Sequence, residues 1–333
     1  DFLAGSRLGT TLGPSWPGSG LSSDGKTGSG EGTSNPDIEA PAFVGLYQTS
    51  QGPLLFRNGK LYGLGTGVLE EWGPAPREGM AWSMAMLSAT EGWSVGPEGI
   101  AHLRNGIWEQ EVNRSHDLLA PSANQGATVH LTDVAFADAS HGFAVGTHGV
   151  VLAYDGTTWS KVSAPAFGRK HFGTVRIGDD GDVWVAGEDV LRFDGSQWIS
   201  VGAPESGAQV NGMIVLSDAV WASTGDALWK WDKTAKTWSK PNPNPVEGFV
   251  GAPQRVPGPP GSVVAWAMDV GSPGGILYRL DSGGTWEPAI MAAPPQVGLD
   301  SLVLLDADTG FALGFDGSAL FKFDDGTWSS LAF

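Results

Sequence analysis

A chain of 333 residues without cysteine admits no disulfide, no thiolate nucleophile and no cysteine zinc site. Its 36 acidic residues against 19 basic ones give a net charge of −17, a field that repels nucleic acid and anionic lipid surfaces. With 50 glycines, 22 prolines and 15 tryptophans but no helical apolar period, the composition is that of an all-β chain rich in turns, and no apolar run approaches the roughly 18 residues of a membrane span.

Residues 1 to 40 are rich in glycine and serine, lack periodicity, and hold only Phe2 and Trp16 as aromatics. Ordering such a segment costs roughly 1 kcal/mol or more per residue, so it needs extended contact to be held. It is predicted to be a tail docked on a neighbouring chain in preference to its own domain. The chain opens on Asp1, which reads as the product of leader removal and predicts an exported protein, periplasmic or at the surface of a bacterium.

From residue 41 onward one unit recurs. A short turn, glycine-bearing in most copies, is followed by tryptophan at Trp108, Trp159, Trp198, Trp238, Trp286 and Trp328, and a further turn, Asn58-Gly59, leads to Tyr62. Gaps of 39 to 51 residues between these aromatics match four-stranded propeller blades. The third copy shows the unit most clearly. Residues 133 to 137 alternate as strand A, Gly142-Phe143-Ala144-Val145-Gly146 follows as B, residues 150 to 154 as C, and Asp155-Gly156-Thr157-Thr158-Trp159 turns into D. The last copy repeats it as Gly310-Phe311-Ala312-Leu313-Gly314 through Asp324-Asp325-Gly326-Thr327-Trp328. Strand B is predicted to open on an aromatic in each copy, at Phe43, Trp93, Phe143, Trp184, Trp221, Trp266 and Phe311.

The prediction is therefore a seven-bladed β-propeller over residues 41 to 333, with blades ending near Tyr62 and the six tryptophans just named. Asp or Asn before Gly favours a tight hairpin, because glycine reaches positive φ freely while the side-chain oxygen accepts a backbone N–H. An indole leaving that turn can seal the gap of about 10 Å between neighbouring sheets, so these tryptophans are predicted to be structural. The proline-rich stretch from 241 to 260 is predicted to be a surface loop, either a plain insertion or a docking arm.

The turns resemble Asp-box (BNR-type) repeats, best in the sixth copy, where Asp281, Gly283, Thr285 and Trp286 stand in the pattern. The repeat with its Gly-Phe-Ala-Val-Gly strand is also similar to seven-bladed photosynthetic assembly factors and to secreted or lipoprotein propellers of bacteria. The resemblance implies an architecture and hardly any activity. The arginine cluster and tyrosine nucleophile of Asp-box sialidases are not recognisable among four tyrosines and few arginines.

In a propeller the B–C turns and D–A loops share one face. Glu98, His148, Glu188, Asp189, Asp226 and Asp316 fall in B–C turns and predict an acidic rosette, able to take calcium or basic side chains of a partner. Asp306-Ala307-Asp308 reads as an ordinary A–B turn. Trp16, Trp72 and Trp82 lie outside the repeat positions and, with Phe2 and His148, are the partner-binding candidates. No histidine pair has metal spacing, and there is no nucleophile elbow and no phosphate loop, so no catalytic or cofactor-binding residue is assigned. The predicted function is a non-catalytic, exported binding or scaffold subunit that meets another protein through its tail and acidic loop face. A carbohydrate-binding propeller is the alternative, and a glycoside hydrolase or polysaccharide lyase, built on paired carboxylates, the second.

Overall fold

The computed structural model describes residues 44–331 except 50–51, 66–68, 120–127, 226, 241–252, 257–263, 270–275, 281–284, 289–298, 307–308, 315–318 and 325–326. Phe2, Trp16, Phe43, Asp226, Asp281 and Asp316, and the whole tail, lie outside the described residues.

Among those residues, strands pair into seven four-stranded antiparallel sheets, each made from consecutive strands. Sheet 1 is β1 (Val44–Thr49), β2 (Gly52–Arg57), β3 (Lys60–Gly63) and β4 (Glu70–Pro74); sheet 2 is β5 (Ser83–Ser88), β6 (Glu91–Gly96), β7 (Gly99–Arg104) and β8 (Ile107–Asn113). Sheet 3 is β9 (Leu131–Asp138), β10 (His141–Gly146), β11 (Val151–Tyr154) and β12 (Trp159–Lys161); sheet 4 is β13 (Phe172–Ile177), β14 (Val183–Gly187), β15 (Val190–Phe193) and β16 (Trp198–Ser200). Sheet 5 is β17 (Gly212–Val215), β18 (Ala219–Ser223), β19 (Leu228–Asp232) and β20 (Thr237–Ser239). Sheet 6 is β21 (Gln254–Val256), β22 (Val264–Asp269), β23 (Ile276–Leu280) and β24 (Trp286–Pro288); sheet 7 is β25 (Leu299–Leu304), β26 (Thr309–Gly314), β27 (Leu320–Asp324) and β28 (Thr327–Leu331). The first strand of each sheet lies beside the first strand of the next, and β25 returns to β1. The result is an all-β propeller of four-stranded antiparallel blades, in which the described helical residues form only short 3-10 turns.

The turns work as their residues dictate. Asp155 Oδ1 accepts the N–H groups of Thr157 and Thr158, both at 2.9 Å. Asp194 Oδ1 accepts those of Ser196 and Gln197 at 3.0 Å, and Asp232 Oδ1 those of Thr234 and Ala235 at 2.8 and 2.7 Å. These donors hold all three carboxyls below the usual carboxylate range, with Asp194 at about 2 and its largest contribution from the Gln197 N–H. The turn before Trp238 has no glycine, and Lys236 takes the positive φ of 55° in its place.

The tryptophans seal the seams. One buried cluster joins sheets 2 and 3 through Trp93, Val112, Leu131, Phe136 and Trp159; another joins sheets 3 and 4 through Val145, Phe167, Val175 and Leu191, with Trp198 packed against it. Trp238 backs the cluster between sheets 4 and 5, and its indole N–H donates to Gly202 O at 3.0 Å. Trp286 is buried and meets Trp221 of sheet 5 edge-on at 5.5 Å, while Trp328 tilts against Phe323 at 5.2 Å within sheet 7. Sheets 7 and 1 close on Leu46, Leu55, Val303, Phe311 and Leu320.

Sheet 1 corrects the sequence reading. Asn58-Gly59 joins β2 to β3, so it is the B–C turn, and Tyr62 sits on β3 rather than at the end of the blade. The closing strand is β4, whose Trp72 packs with Trp108 on the cluster between sheets 1 and 2; Trp72 therefore occupies the sealing position rather than a free loop. The inner strand of this sheet is β1. The second correction falls in the proline-rich stretch, where Gln254–Val256 forms the inner strand of sheet 6 between Pro253 and Pro257. Pro253 precedes the ladder, where its missing N–H group costs nothing.

The inner ring carries one buried polar network. The Asp133 carboxylate on β9 accepts Ser83 Oγ of β5 at 2.7 Å, the Val175 N–H at 2.9 Å and Arg176 Nη1 of β13 at 2.6 Å. It ties three neighbouring sheets together.

Candidate functional site: an aromatic and imidazole rim

The loops that precede the inner strands and the B–C turns meet on one face, as propeller geometry requires. Trp82, His130, His171 and Asn211 occupy the same place in sheets 2 to 5, each the residue immediately before an inner strand. Each is fixed by its backbone. Trp82 N–H donates to Val95 O at 2.9 Å and Asn211 N–H to Ser223 O at 2.9 Å. Around His130, Thr147 N–H donates to His130 O at 2.9 Å while His130 N–H donates to Thr147 Oγ1 at 3.0 Å. Around His171, Glu188 N–H donates to His171 O at 3.0 Å and His171 N–H donates to a Glu188 carboxylate oxygen at 3.1 Å.

The rings form a row. Trp82 meets His130 edge-on at 5.8 Å between centroids, and His148 meets His171 at 5.0 Å. His148 stands in the B–C turn of sheet 3 with φ 59° and ψ 33°, a left-handed conformation that non-glycine residues adopt at a cost. The turn is braced by Gly149, whose N–H donates to Lys170 O at 2.6 Å. Gly149 itself has φ +72°, and a Cβ there would run into Gly168 O. His148 Nδ1 is buried and has no hydrogen-bond partner. The His130 imidazole is held below its ordinary value of 6.5, first by burial and then by the charges of Arg114 and His148.

The predicted acidic rosette is different in detail. Asp189 is not an open ligand: it is 7% exposed and accepts Lys170 Nζ at 2.6 Å, Ser200 Oγ at 3.0 Å and the Val190 N–H at 2.8 Å. Glu188 is exposed but engaged with the His171 backbone, and Glu98 is exposed in the turn between β6 and β7. Sheet 3 presents His148 in its B–C turn as expected, whereas in sheet 4 Asp189 is held by Lys170 and Ser200 and Glu188 by the His171 backbone, so the ring beside that turn is His171. Among the described residues no group of three or more His, Asp or Glu is arranged to hold a metal ion. Asp306 lies between β25 and β26, in an A–B turn.

Of the partner-binding candidates, Trp82 and His148 lie on this rim, and Trp72 belongs to a seam. The sequence reading missed His130 and His171. They are 41 residues apart in the chain, and the signal that pairs them is their shared place ahead of an inner strand. A second polar cluster is closed: His102, 2% exposed, stacks on Trp93 at 4.0 Å with Nε2 2.6 Å from Glu91 Oε1 and Nδ1 2.7 Å from Glu111 Oε2. Its ring is walled in, so it serves the packing of sheet 2.

No family model and no curated protein matches the chain. Solved structures do. The chain is similar to YCF48 bound to D1 peptide (TM-score 0.55, 15% identity, 85% of this chain and 90% of that one). It is also similar to a catalytically inactive virginiamycin B lyase from Staphylococcus aureus with quinupristin (TM-score 0.61, 13% identity, 85% of this chain and 94% of that one). A third likeness is to PorZ, a surface component of the type-IX secretion system of Porphyromonas gingivalis (TM-score 0.56, 14% identity, 84% of this chain and 43% of that one). At these identities the likeness is one of fold. No helix among the described residues is long and apolar enough to cross a membrane.

Proposed function

We propose that the chain is a seven-bladed, non-catalytic binding subunit, exported by a bacterium, that receives a protein partner on the rim of sheets 2 to 5. The observation that carries this reading is the row of Trp82, His130, His148 and His171, rings held in place by backbone hydrogen bonds and gathered on one loop face. Rigid aromatic and imidazole side chains give contact area at little entropic cost, which is what interface anchors need. The solved relatives include one propeller bound to a peptide and one surface component of a secretion system, both compatible with such a role. The Asp-led turns at 155, 194 and 232 support the Asp-box resemblance of the repeats. Residues 1 to 40 are assigned as the arm that fastens the subunit to its assembly, on the sequence argument alone.

The test is co-purification from the native host. Trp82→Ala should lose the partner, whereas Ile107→Ala, which removes an exposed apolar side chain from the outer strand β8, should keep it. Equal retention by both variants would remove the rim from the reading. A glycan array probed with the same two proteins separates the carbohydrate alternative, since only a lectin would lose glycan binding through Trp82→Ala.

A further inference from the structure

We propose that His130, His148 and His171, together with Arg114, form a proton-gated anion site that takes the carboxylates of an acidic peptide segment. This rests on the rim being the binding face and names the chemistry of what binds there.

The chain as a whole carries −17, yet the loops around this row hold Arg114, Arg169, Lys170 and three of the six histidines. From the segment after β8 comes Arg114, whose guanidinium donates to Thr128 Oγ1 at 3.2 Å and whose charge acts on His130. The 147–149 turn supplies His148. Lys170, from the loop before β13, is neutralised by Asp189 at 2.6 Å, and Asp189 is itself capped by Ser200 and Val190. Glu188, from the turn after β14, accepts the His171 backbone N–H on a carboxylate oxygen. Of the described acids in the B–C turns of this face, Asp189 and Glu188 are engaged by local partners and Glu98 is exposed beside sheet 2; histidine is the side chain whose charge ordinarily changes near neutral pH.

His148 Nδ1 is buried without a partner, in a turn that holds a non-glycine residue in the left-handed region. A ligand carboxylate would give this nitrogen, held in a strained and braced turn, the partner it lacks. At His130, burial and then the neighbouring charges of Arg114 and His148 disfavour the imidazolium in the free protein. A ligand carboxylate would reverse that balance, so binding takes up protons and tightens as the pH falls. Three imidazoles that span two sheets, with Trp82 beside them on a third, suit an extended chain bearing several carboxylates better than one small ion. The negative field of the remaining surface would repel such a chain everywhere else.

The test uses the full chain and two fluorescein-labelled probes, hexaglutamate and hexaglutamine, with binding read by fluorescence anisotropy at pH 5.5 and 7.5. Hexaglutamate should bind at least tenfold more tightly at pH 5.5, and hexaglutamine should not bind at either pH. A His130→Gln, His171→Gln double variant should lose the pH dependence, and Arg114→Gln, a change at an exposed position, should weaken binding at both pH values without affecting the fold. Hexaglutamate affinity that ignores pH, binding of hexaglutamine, pH dependence that survives in the double variant, or displacement of hexaglutamate by millimolar inorganic phosphate would each overturn the proposal. Failure here, with partner co-purification still lost in Trp82→Ala, would leave the rim as a binding face that does not select anions. Hexaglutamate binding with co-purification unaffected would instead keep the anion site and remove the subunit role.

Discussion

Arg176 on β13 holds the Asp133 carboxylate of β9 at 2.6 Å, and both side chains are buried where two inner strands meet. A buried pair of this kind is costly to break and cheap to replace whole. Asp133→Leu should therefore destabilise the protein by about 3–5 kcal/mol, since it leaves the guanidinium in the inner ring without its carboxylate. Asp133→Leu combined with Arg176→Met should recover most of that loss. Urea midpoints of the single and double variants decide the matter, and a double variant no better than the single would show that Ser83 and Val175, not the charge, set the cost.

The His130 ring should titrate below 6.5 in an NMR pH series of the free protein. The sign for stability follows from the unfolded chain binding protons more readily than the folded one. Stability contributed by neutral His130 is present above 6.5 and declines as the pH falls through that window. Arg114→Gln or His148→Gln should move the His130 titration upward, and an unmoved titration would leave burial as its sole cause.

Asp194 gives a second pH signature of opposite kind. Its folded carboxyl sits at about 2 against 3.8 in the unfolded chain, so its contribution is complete above 3.8, declines as the pH falls toward 2, and is gone below it. Denaturation of wild type and Asp194→Ala at pH 6, 4 and 2 should show a difference that is nearly steady from 6 to 4 and much reduced at 2. A difference at pH 2 as large as that at pH 6 would mean that the neutral carboxyl caps the turn equally well.

The 147–149 turn should separate stability from binding. His148→Gly removes a non-glycine residue from the left-handed region and is expected to leave the protein as stable as wild type or more stable by up to about 1 kcal/mol. It should nevertheless abolish the pH dependence of hexaglutamate binding. Gly149→Ala should cost about 1–2 kcal/mol, because the new Cβ meets Gly168 O and the left-handed conformation is lost to it. Thermal melts and anisotropy on the same samples check both; a destabilised His148→Gly would mean that the imidazole packs for the fold rather than waits for a ligand.

The alternation of strands, the Asp-led turns and the tryptophans of the outer strands could be read from the chain because each depends on neighbours a few residues away. Asp155, Asp194 and Asp232 bond to N–H groups two and three positions on, and a sequence displays such relations directly. Sheet 1 went astray for the same reason, since Asn58-Gly59 is as good a turn between β2 and β3 as its counterpart Asn105-Gly106 is between β7 and β8. The rim was illegible. Whether Asp189 faces solvent or folds onto Lys170, and whether His130, His148 and His171 assemble, depends on loops from separate sheets whose encounter no local pattern encodes.

The joint between sheets 7 and 1 is made only of side chains such as Leu46, Val303 and Phe311, for no described strand passes from one sheet into another. Among the described residues no joint around the circle is closed by a strand shared between two sheets. A load applied along the chain would peel the molecule sheet by sheet from an end, while cutting a connection elsewhere and linking the old ends would shift the breach without changing what holds the circle together.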